Sequence, residues 1–99
     1  MKKIYVAHPY ENKIENQIRT EAIIKKLIKS NPDNLYLSPI HLTGFYYDDI
    51  SYLAGMEKCL ALLDMCDELL LCGDWESSVG CKMEWAYAKG KGIPVTLYS

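Results

Sequence analysis

The stretch "DELLLCG", residues 67–73, decides the fold that we expect for this sequence. The residues from Leu69 to Cys72 are all apolar, and acidic residues and a glycine bound them. A strand with one face in water alternates apolar and polar residues, whereas an unbroken apolar run is typical of a parallel strand covered on both faces. Because parallel strands are joined by long crossovers, we expect helices before and after this strand.

The flanking sequence supplies the other elements of a parallel sheet. Three more segments have the short apolar character of strands: "KKIYVA" (2–7), "LYLSPI" (35–40) and "IPVTLY" (93–98). Apolar residues at helical spacing predict helices over residues 11–30, about 50–66 and about 78–89. This alternation predicts a flavodoxin- or Rossmann-like α/β fold: an open parallel sheet of about four strands, in the order 2-1-3-4, with helices on both faces. Residues 1–99 are expected to form a single domain.

Two finer expectations concern the helices and the segment after the second strand. The first helix is expected to bury the apolar face Ile14, Ile18, Ala22, Ile24, Leu27 and Ile28. The second helix is expected to bury Leu53, Met56, Leu60 and Leu63. Between strand and helix, "HLTGFYYDD" (41–49) is rich in aromatic and polar residues, and we expect it to be a loop.

Composition argues against several classes of function. The net charge of −2 and a pI near 5.6 do not favour nucleic-acid binding, which needs a clustered basic face. No apolar stretch approaches the roughly 20 residues of a membrane span, and the charged "MKK" start leads into a strand. We therefore expect a soluble intracellular protein that binds neither nucleic acid nor membrane.

The cysteines and histidines do not suggest a metal site. The four cysteines form no C-x-x-C pair and are expected to be free buried thiols. Their spacing to His8 and His41 matches no zinc motif, so we predict neither a metal nor another cofactor.

Polar and aromatic residues follow three of the predicted strands. In an open parallel sheet, ligands bind outside the carboxyl ends of the strands, near the point where strand order reverses. The strand tails there are "HPY", "PIH" and "GDWESS", and they contain the candidate substrate contacts His8, Pro9, Tyr10, His41, Asp74, Trp75, Ser77 and Ser78. Their convergence predicts a binding site at this edge.

Glu84 has small residues, Gly80 and Ala88, one turn away on either side of the predicted third helix. Small neighbours would let a ligand approach a carboxylate closely, and we include Gly80 among the candidate contacts. From spacing alone an exposed helix glutamate is the more common outcome. Ser77 and Ser78 shift this balance, because hydroxyls and free N–H groups at a helix start can hold an anion such as phosphate.

Other candidates have two readings each. Tyr5 is either ordinary strand core or a hydroxyl that bonds a carboxylate across the top of the sheet. Glu57 lies either on the inner face of the second helix, where a charge needs a partner or a use, or at the edge of its apolar stripe. The histidines either pack or contact the ligand. The aromatic residues Tyr10, Phe45, Tyr46, Tyr47 and Trp75 either stack on a base or form subunit contacts.

Assembly is a further expectation. A chain of 99 residues has a thin core, and its eight tyrosines and two tryptophans suggest that another subunit covers some aromatic surface. We expect a homodimer or a larger homo-oligomer.

Over its whole length the sequence resembles the nucleoside 2-deoxyribosyltransferase superfamily, in particular small members found in bacteria and their phages. The segments that carry the resemblance are "IYVAHPY" (4–10), "LYLSPIHLTGFYYDD" (35–49) and "CDELLLCGDWESSVGCKMEWAYA" (66–88). The last is the most specific: a small polar residue, any residue, a glycine, three residues and a glutamate. The resemblance implies a cytoplasmic protein, of a bacterium or of a phage-infected host.

The resemblance also implies roles for individual residues. In that family the glutamate at this place attacks the anomeric carbon of the sugar and a tyrosine of the first strand orients it, which points to Glu84 and Tyr5. The residue six before the glutamate is an aspartate in relatives that handle free nucleosides and a serine in the deoxynucleoside-monophosphate N-hydrolases. This chain has Ser78. A serine at a helix N-terminus attracts a phosphate that an aspartate would repel, so a nucleotide is implied.

Two functional hypotheses follow. The leading one is cleavage or transfer of the N-glycosidic bond of a nucleotide or nucleotide derivative, with Glu57 as the nearest candidate for the base-contacting acid. The alternative is binding without turnover, such as sequestration of a nucleotide-derived signal by a phage protein. The bulky loop "HPYEN" (8–12) and the end of the chain at Ser99, where active relatives lend a residue to the neighbouring subunit, favour this alternative.

Overall fold

The computed structural model describes all 99 residues. Its strands are β1 (Lys3–Ala7), β2 (Leu35–Leu37), β3 (Glu68–Leu71) and β4 (Val95–Leu97). Its helices are α1 (Ile14–Ser30), α2 (Pro39–Thr43), α3 (Tyr52–Asp64) and α4 (Val79–Lys91). Short 3₁₀ turns span Gly44–Tyr46 and Trp75–Ser77. None of these helices has both the length and the apolar character needed to cross a bilayer.

The sheet confirms the predicted topology. All neighbouring strands are parallel and their order is β2-β1-β3-β4. Tyr5, in the middle of β1, lies beside Leu37 of β2 on one side and Leu69 of β3 on the other. The strand order therefore reverses between β1 and β3, and their carboxyl ends open towards the same edge of the sheet.

Helices cover both faces of the sheet, as predicted. On one face, residues of α3, α4 and the strands form the core cluster Tyr5, Ala7, Leu63, Cys66, Leu69, Leu71, Cys81 and Ala88. On the other face, Ile23, Ile24 and Leu27 of α1 pack against Ile4, Val6, Leu70 and Cys72. Successive residues of β3 thus point into two different cores, which explains the unbroken apolar run of this strand.

The buried face of α1 differs from the predicted one. Ile14, Ile18 and Ile28 are exposed, whereas Asn16 and Thr20 are buried. Both buried polar side chains are satisfied: the Thr20 hydroxyl donates to the Asn16 carbonyl (2.7 Å) and the Asn16 amide donates to the Tyr10 carbonyl (2.9 Å). Satisfied polar groups can be buried at little cost. The helix is therefore rotated away from the face that hydropathy alone selects.

The segment predicted as strand end and loop is partly helical. β2 ends at Leu37, and Pro39 is the first residue of α2. Ser38 caps this helix, because its hydroxyl accepts a hydrogen bond from the His41 backbone N–H. Proline fits the first helical position, where its missing N–H has no intrahelical acceptor to lose. The strand does end before the proline, but the prediction that a loop follows it is wrong.

Several apolar side chains remain on the surface. Phe45 is 83% exposed, and Leu53 of α3 is also largely exposed, contrary to its predicted place on the buried stripe. Val79, at the start of α4, is exposed too. These side chains are compatible with the expected homo-oligomer, which stays a prediction.

Candidate functional site

A cavity of about 470 Å³ lies where β1 ends and α4 begins. Two parts of the chain form most of its wall: the segment from α2 through α3, and the first two turns of α4. Its volume lies within the roughly 300–1,000 Å³ of small-molecule pockets. The cavity sits at the point where strand order reverses, the place at which the sequence predicted a site.

Glu84 lines this cavity although its side chain is almost fully buried, with an exposure of 5%. The helix brings it there because Gly80, Cys81 and Ala88 on the same face are small enough to lie close against the sheet. Burial raises the pKa of Glu84 from its ordinary value of 4.5 to about 7, while a hydrogen bond from Tyr5 acts in the opposite direction. The reading of Glu84 as an exposed helix residue is wrong.

Tyr5 is the hydrogen-bond partner of this carboxylate. Its hydroxyl donates to Glu84 Oε2, and the tyrosine itself is fully buried in the centre of the sheet. Burial, followed by the nearby charge of Glu84, raises the pKa of Tyr5 well above its ordinary value of 10.0. The phenol therefore keeps its proton and donates it to Oε2, which leaves Oε1 of Glu84 for another partner.

The start of α4 presents polar groups to the same cavity. The Ser78 hydroxyl accepts a hydrogen bond from the Cys81 N–H (3.2 Å), so its own proton is free to donate. The N–H groups of Val79 and Gly80 follow the cap and have no intrahelical acceptor. Ser77 also lines the cavity, but its hydroxyl lies 2.8 Å from both the carbonyl and a carboxylate oxygen of Asp74.

Gly80 lies in close contact with side chains of α3. A Cβ atom at this position would lie 2.8 Å from the Tyr52 hydroxyl and 3.3 Å from Met56 Sδ. The absence of a side chain allows α3 to form the wall opposite Glu84. This contact accounts for the glycine four residues before the glutamate.

Of the other predicted contacts, the structure brings His8 and Tyr10 to the cavity. His41 lies elsewhere, with its ring nitrogens 2.7 Å from Ser38 Oγ and 2.8 Å from Glu21 Oε2, in a separate groove. Its place on the rim was predicted on the assumption that a loop follows β2. Because α2 begins there instead, the histidine side chain is directed back towards α1.

Four more predicted contacts do not line the cavity. Glu57 is exposed on α3, so of its two readings the one that places it on the inner face is wrong; an unpaired charge is cheaper in water. Pro9 offers only its carbonyl to His8, and Asp74 bonds Ser77 instead. Trp75 packs against the core beside Trp85, with ring centroids 6.4 Å apart.

The sequence prediction missed the wall that α3 contributes. Tyr52, Met56 and Cys59 line the cavity, as does Thr43 at the end of α2. The three residues of α3 are spaced by three or four and so share one helical face, a signal that the sequence contains. The prediction instead placed Met56 on the core stripe of that helix and Cys59 among the buried free thiols.

The electrostatic surroundings of Glu84 contain no second buried carboxylate. Of the cavity-lining residues only Glu11 is also acidic, and its exposed side chain forms an ion pair with Lys13 (2.9 Å). No group of three or more His, Cys, Asp or Glu side chains lies close enough together to hold a metal ion.

Comparison with known proteins gives a family and a fold. The family described as "Domain of unknown function (DUF4406)" matches residues 2–97. No functionally curated protein matches the sequence. Among solved structures, a 2-desoxiribosyltransferase from Leishmania mexicana superposes over 100% of this chain with a TM-score of 0.73 and 20% sequence identity. The chain spans 65% of the length of that protein, and the likeness shows that the two share a fold.

The raised pKa of Glu84 predicts how Glu84→Gln changes stability with pH. The pKa of Glu84 is about 7 in the folded protein and near 4.5 in the unfolded chain. The neutral carboxyl therefore contributes fully to the free energy of unfolding below pH 4.5, and this contribution is lost as pH rises through 7. The amide does not titrate. In urea unfolding, the free energy of unfolding of the variant minus that of the wild type should therefore rise by up to about 3 kcal/mol between pH 4.5 and pH 8.

The exposed Glu57→Gln variant is the matched control and should show no such trend. A difference between Glu84→Gln and wild type that stays constant over this pH range would contradict the raised pKa.

Proposed function

The chain belongs to the family described as a domain of unknown function (DUF4406), and from the geometry of its cavity we propose that it cleaves or transfers an N-glycosidic bond of a nucleotide or nucleotide derivative. One observation carries this proposal: a nearly buried carboxylate, Glu84, faces a ligand-sized cavity and accepts a hydrogen bond from Tyr5. Burying a carboxylate costs free energy unless a cation or several hydrogen bonds compensate, so one that is kept in a cavity wall points to a functional use. No cation is paired with Glu84.

The chemistry that fits this carboxylate is attack on the anomeric carbon of a sugar. In its ionised form, Glu84 would use Oε1 to form a glycosyl-enzyme through an oxocarbenium-like transition state, while Tyr5 holds Oε2. Water or a second base would then resolve the intermediate. A pKa of about 7 leaves a substantial ionised fraction at neutral pH and a more basic nucleophile than an ordinary glutamate.

The amino end of α4 supports a phosphate on the substrate. Ser78 can donate its hydroxyl proton, and the Val79 and Gly80 N–H groups lack intrahelical acceptors. These donors lie at the positive end of the helix dipole, on the same cavity wall as Glu84. A 5′-phosphate held here would place the sugar over the next turn of the helix, which carries Glu84.

Aromatic residues elsewhere on the cavity wall support binding of a base. Tyr10, Tyr46 and Tyr47 line the cavity, and the rings of Tyr10 and Tyr47 meet edge to face with centroids 5.3 Å apart. Flat rings of this kind stack on nucleobases without selecting strongly among them. The solved structure from Leishmania mexicana is described as a 2-desoxiribosyltransferase, which agrees with a nucleoside-derived substrate.

Turnover by Glu84→Gln tests the role of the carboxylate. The amide keeps the shape of the side chain but cannot form the glycosyl-enzyme, so release of free base from a panel of nucleoside 5′-monophosphates should fall by about 10³-fold or more. Affinity should stay within about tenfold, or 1.4 kcal/mol, because the other contacts are intact. Base release is followed by chromatography and affinity by calorimetry.

A wild-type protein that binds a nucleotide tightly and returns it intact after hours would contradict turnover. The alternative of sequestration would then hold, with Glu84 as a ligand contact.

Substitutions of Ser78 test the phosphate site. Ser78→Ala removes one donor, whereas Ser78→Asp also adds a negative charge beside the phosphate. The affinity for a 5′-monophosphate should therefore fall by about tenfold in Ser78→Ala and by a larger factor in Ser78→Asp. As a control, the affinity of both variants for the matching unphosphorylated nucleoside is also measured. For this ligand the loss of affinity should be similar in Ser78→Ala and Ser78→Asp. Equal losses for the monophosphate would place the phosphate elsewhere.

A further inference from the structure

The proposed reaction needs a second group, because a departing nucleobase must take up a proton as its bond to the sugar breaks. The cavity offers few candidates. Glu11 is exposed and paired with Lys13, and Glu57 does not line the cavity. Burial raises the pKa values of Cys59 and Tyr52, which makes both weaker acids. Histidine is the side chain that most often transfers protons near neutral pH, and the cavity wall contains one, His8.

His8 lines the cavity directly after β1 and is only 8% exposed. Its Nδ1 atom lies 2.8 Å from the Pro9 carbonyl oxygen. Because a carbonyl can only accept, Nδ1 must carry the hydrogen in this contact. Nε2 has no hydrogen-bond partner among the side chains and backbone around it. Since no buried side-chain nitrogen or oxygen lacks a partner, Nε2 is accessible to a ligand or to water.

The backbone beside His8 is shaped to keep Nε2 free. Gly73, two residues after β3, has a positive φ of 62°. A Cβ atom there would lie 2.8 Å from Nε2 and 3.2 Å from Cδ2 of His8. Any other residue would press on this edge of the ring. The glycine of "LLLCG" thus preserves an imidazole whose outer nitrogen has no partner in the protein.

We propose that His8 is the acid–base residue of the reaction proposed above, on which this assignment rests. As Glu84 bonds to the anomeric carbon, the bond from that carbon to the base nitrogen breaks and its electron pair moves to the base. Protonated His8 passes its Nε2 proton to the base and keeps the proton on Nδ1. In the second step His8 Nε2 takes a proton from water, the water oxygen bonds to the anomeric carbon, and Glu84 leaves as a carboxylate.

This arrangement divides the two roles between unlike side chains. Glu84 is the only buried carboxylate on the cavity wall and serves as nucleophile. His8, from the end of the central strand, handles the proton. The Pro9 carbonyl fixes its tautomer, as an oxygen acceptor does for the histidine of hydrolytic triads.

Leaving-group dependence tests the role of His8. A nucleoside 5′-monophosphate needs protonation of its base, whereas a 4-nitrophenyl 2-deoxyribose 5-phosphate releases a stable phenolate that needs none. His8→Gln should slow base release from the nucleotide by about 10²-fold or more. It should slow nitrophenolate release by less than about tenfold, because the nucleophile is unchanged. His41→Gln, which alters a histidine outside the cavity, should change neither rate.

Three results would overturn the assignment. The first two are an equal loss of rate of His8→Gln on both substrates and no loss of rate on the nucleotide. The third is a ¹⁵N NMR spectrum of the wild type that places the proton of the neutral His8 ring on Nε2. The spectrum applies even if the variant does not fold. Wild-type protein that releases neither leaving group would defeat the proposed function and the role of His8 with it. Wild-type turnover with equal losses would defeat the role of His8 alone.

Discussion

The hydrogen bond from Tyr5 to Glu84 joins the middle of the central strand to the middle of α4, and the rest of the site is arranged around it. A carboxylate so deeply buried loses most of its hydration, and a single neutral donor recovers only part of that loss. The part of the loss that is not recovered disfavours the charged form and raises the pKa of Glu84 to about 7. The fold tolerates it because the parallel sheet fixes Tyr5 between β2 and β3, so the donor cannot move away.

Small residues make this contact possible and open the cavity beside it. Ala88 and Cys81 let α4 lie close to the sheet, while Gly80 lets α3 approach from the other side. The same first turn of α4 begins at the Ser78 cap, so the donors for an anion and the carboxylate share one rigid helix. A ligand held at the cap is thereby kept at a fixed distance from Glu84. Positioning of this kind accounts for much of the rate enhancement of enzymes.

The sequence was sufficient for the sheet and for the centre of the site, but not for its walls. The apolar run of β3 predicted a strand covered on both faces, and the resemblance pointed to Glu84 and Tyr5, which the structure brings into contact. His41 and Glu57 were misplaced, because their directions depend on where a helix starts and how it is rotated. The Ser38 cap sets where α2 starts and so directs His41, and hydropathy does not report such a cap. Glu57 is exposed because of how α3 is rotated against the sheet.

The most direct test of Glu84 as nucleophile is a search for the covalent intermediate. Fluorine at the 2-position of the sugar destabilises the positively charged transition state, so a 2′-deoxy-2′-fluoronucleoside 5′-monophosphate should let the glycosyl-enzyme accumulate. Intact-protein mass spectrometry should then show the added mass of one fluorinated sugar phosphate, and peptide mapping should place it on Glu84. Turnover of ordinary nucleotides without any adduct, or an adduct on a different residue, would contradict the account.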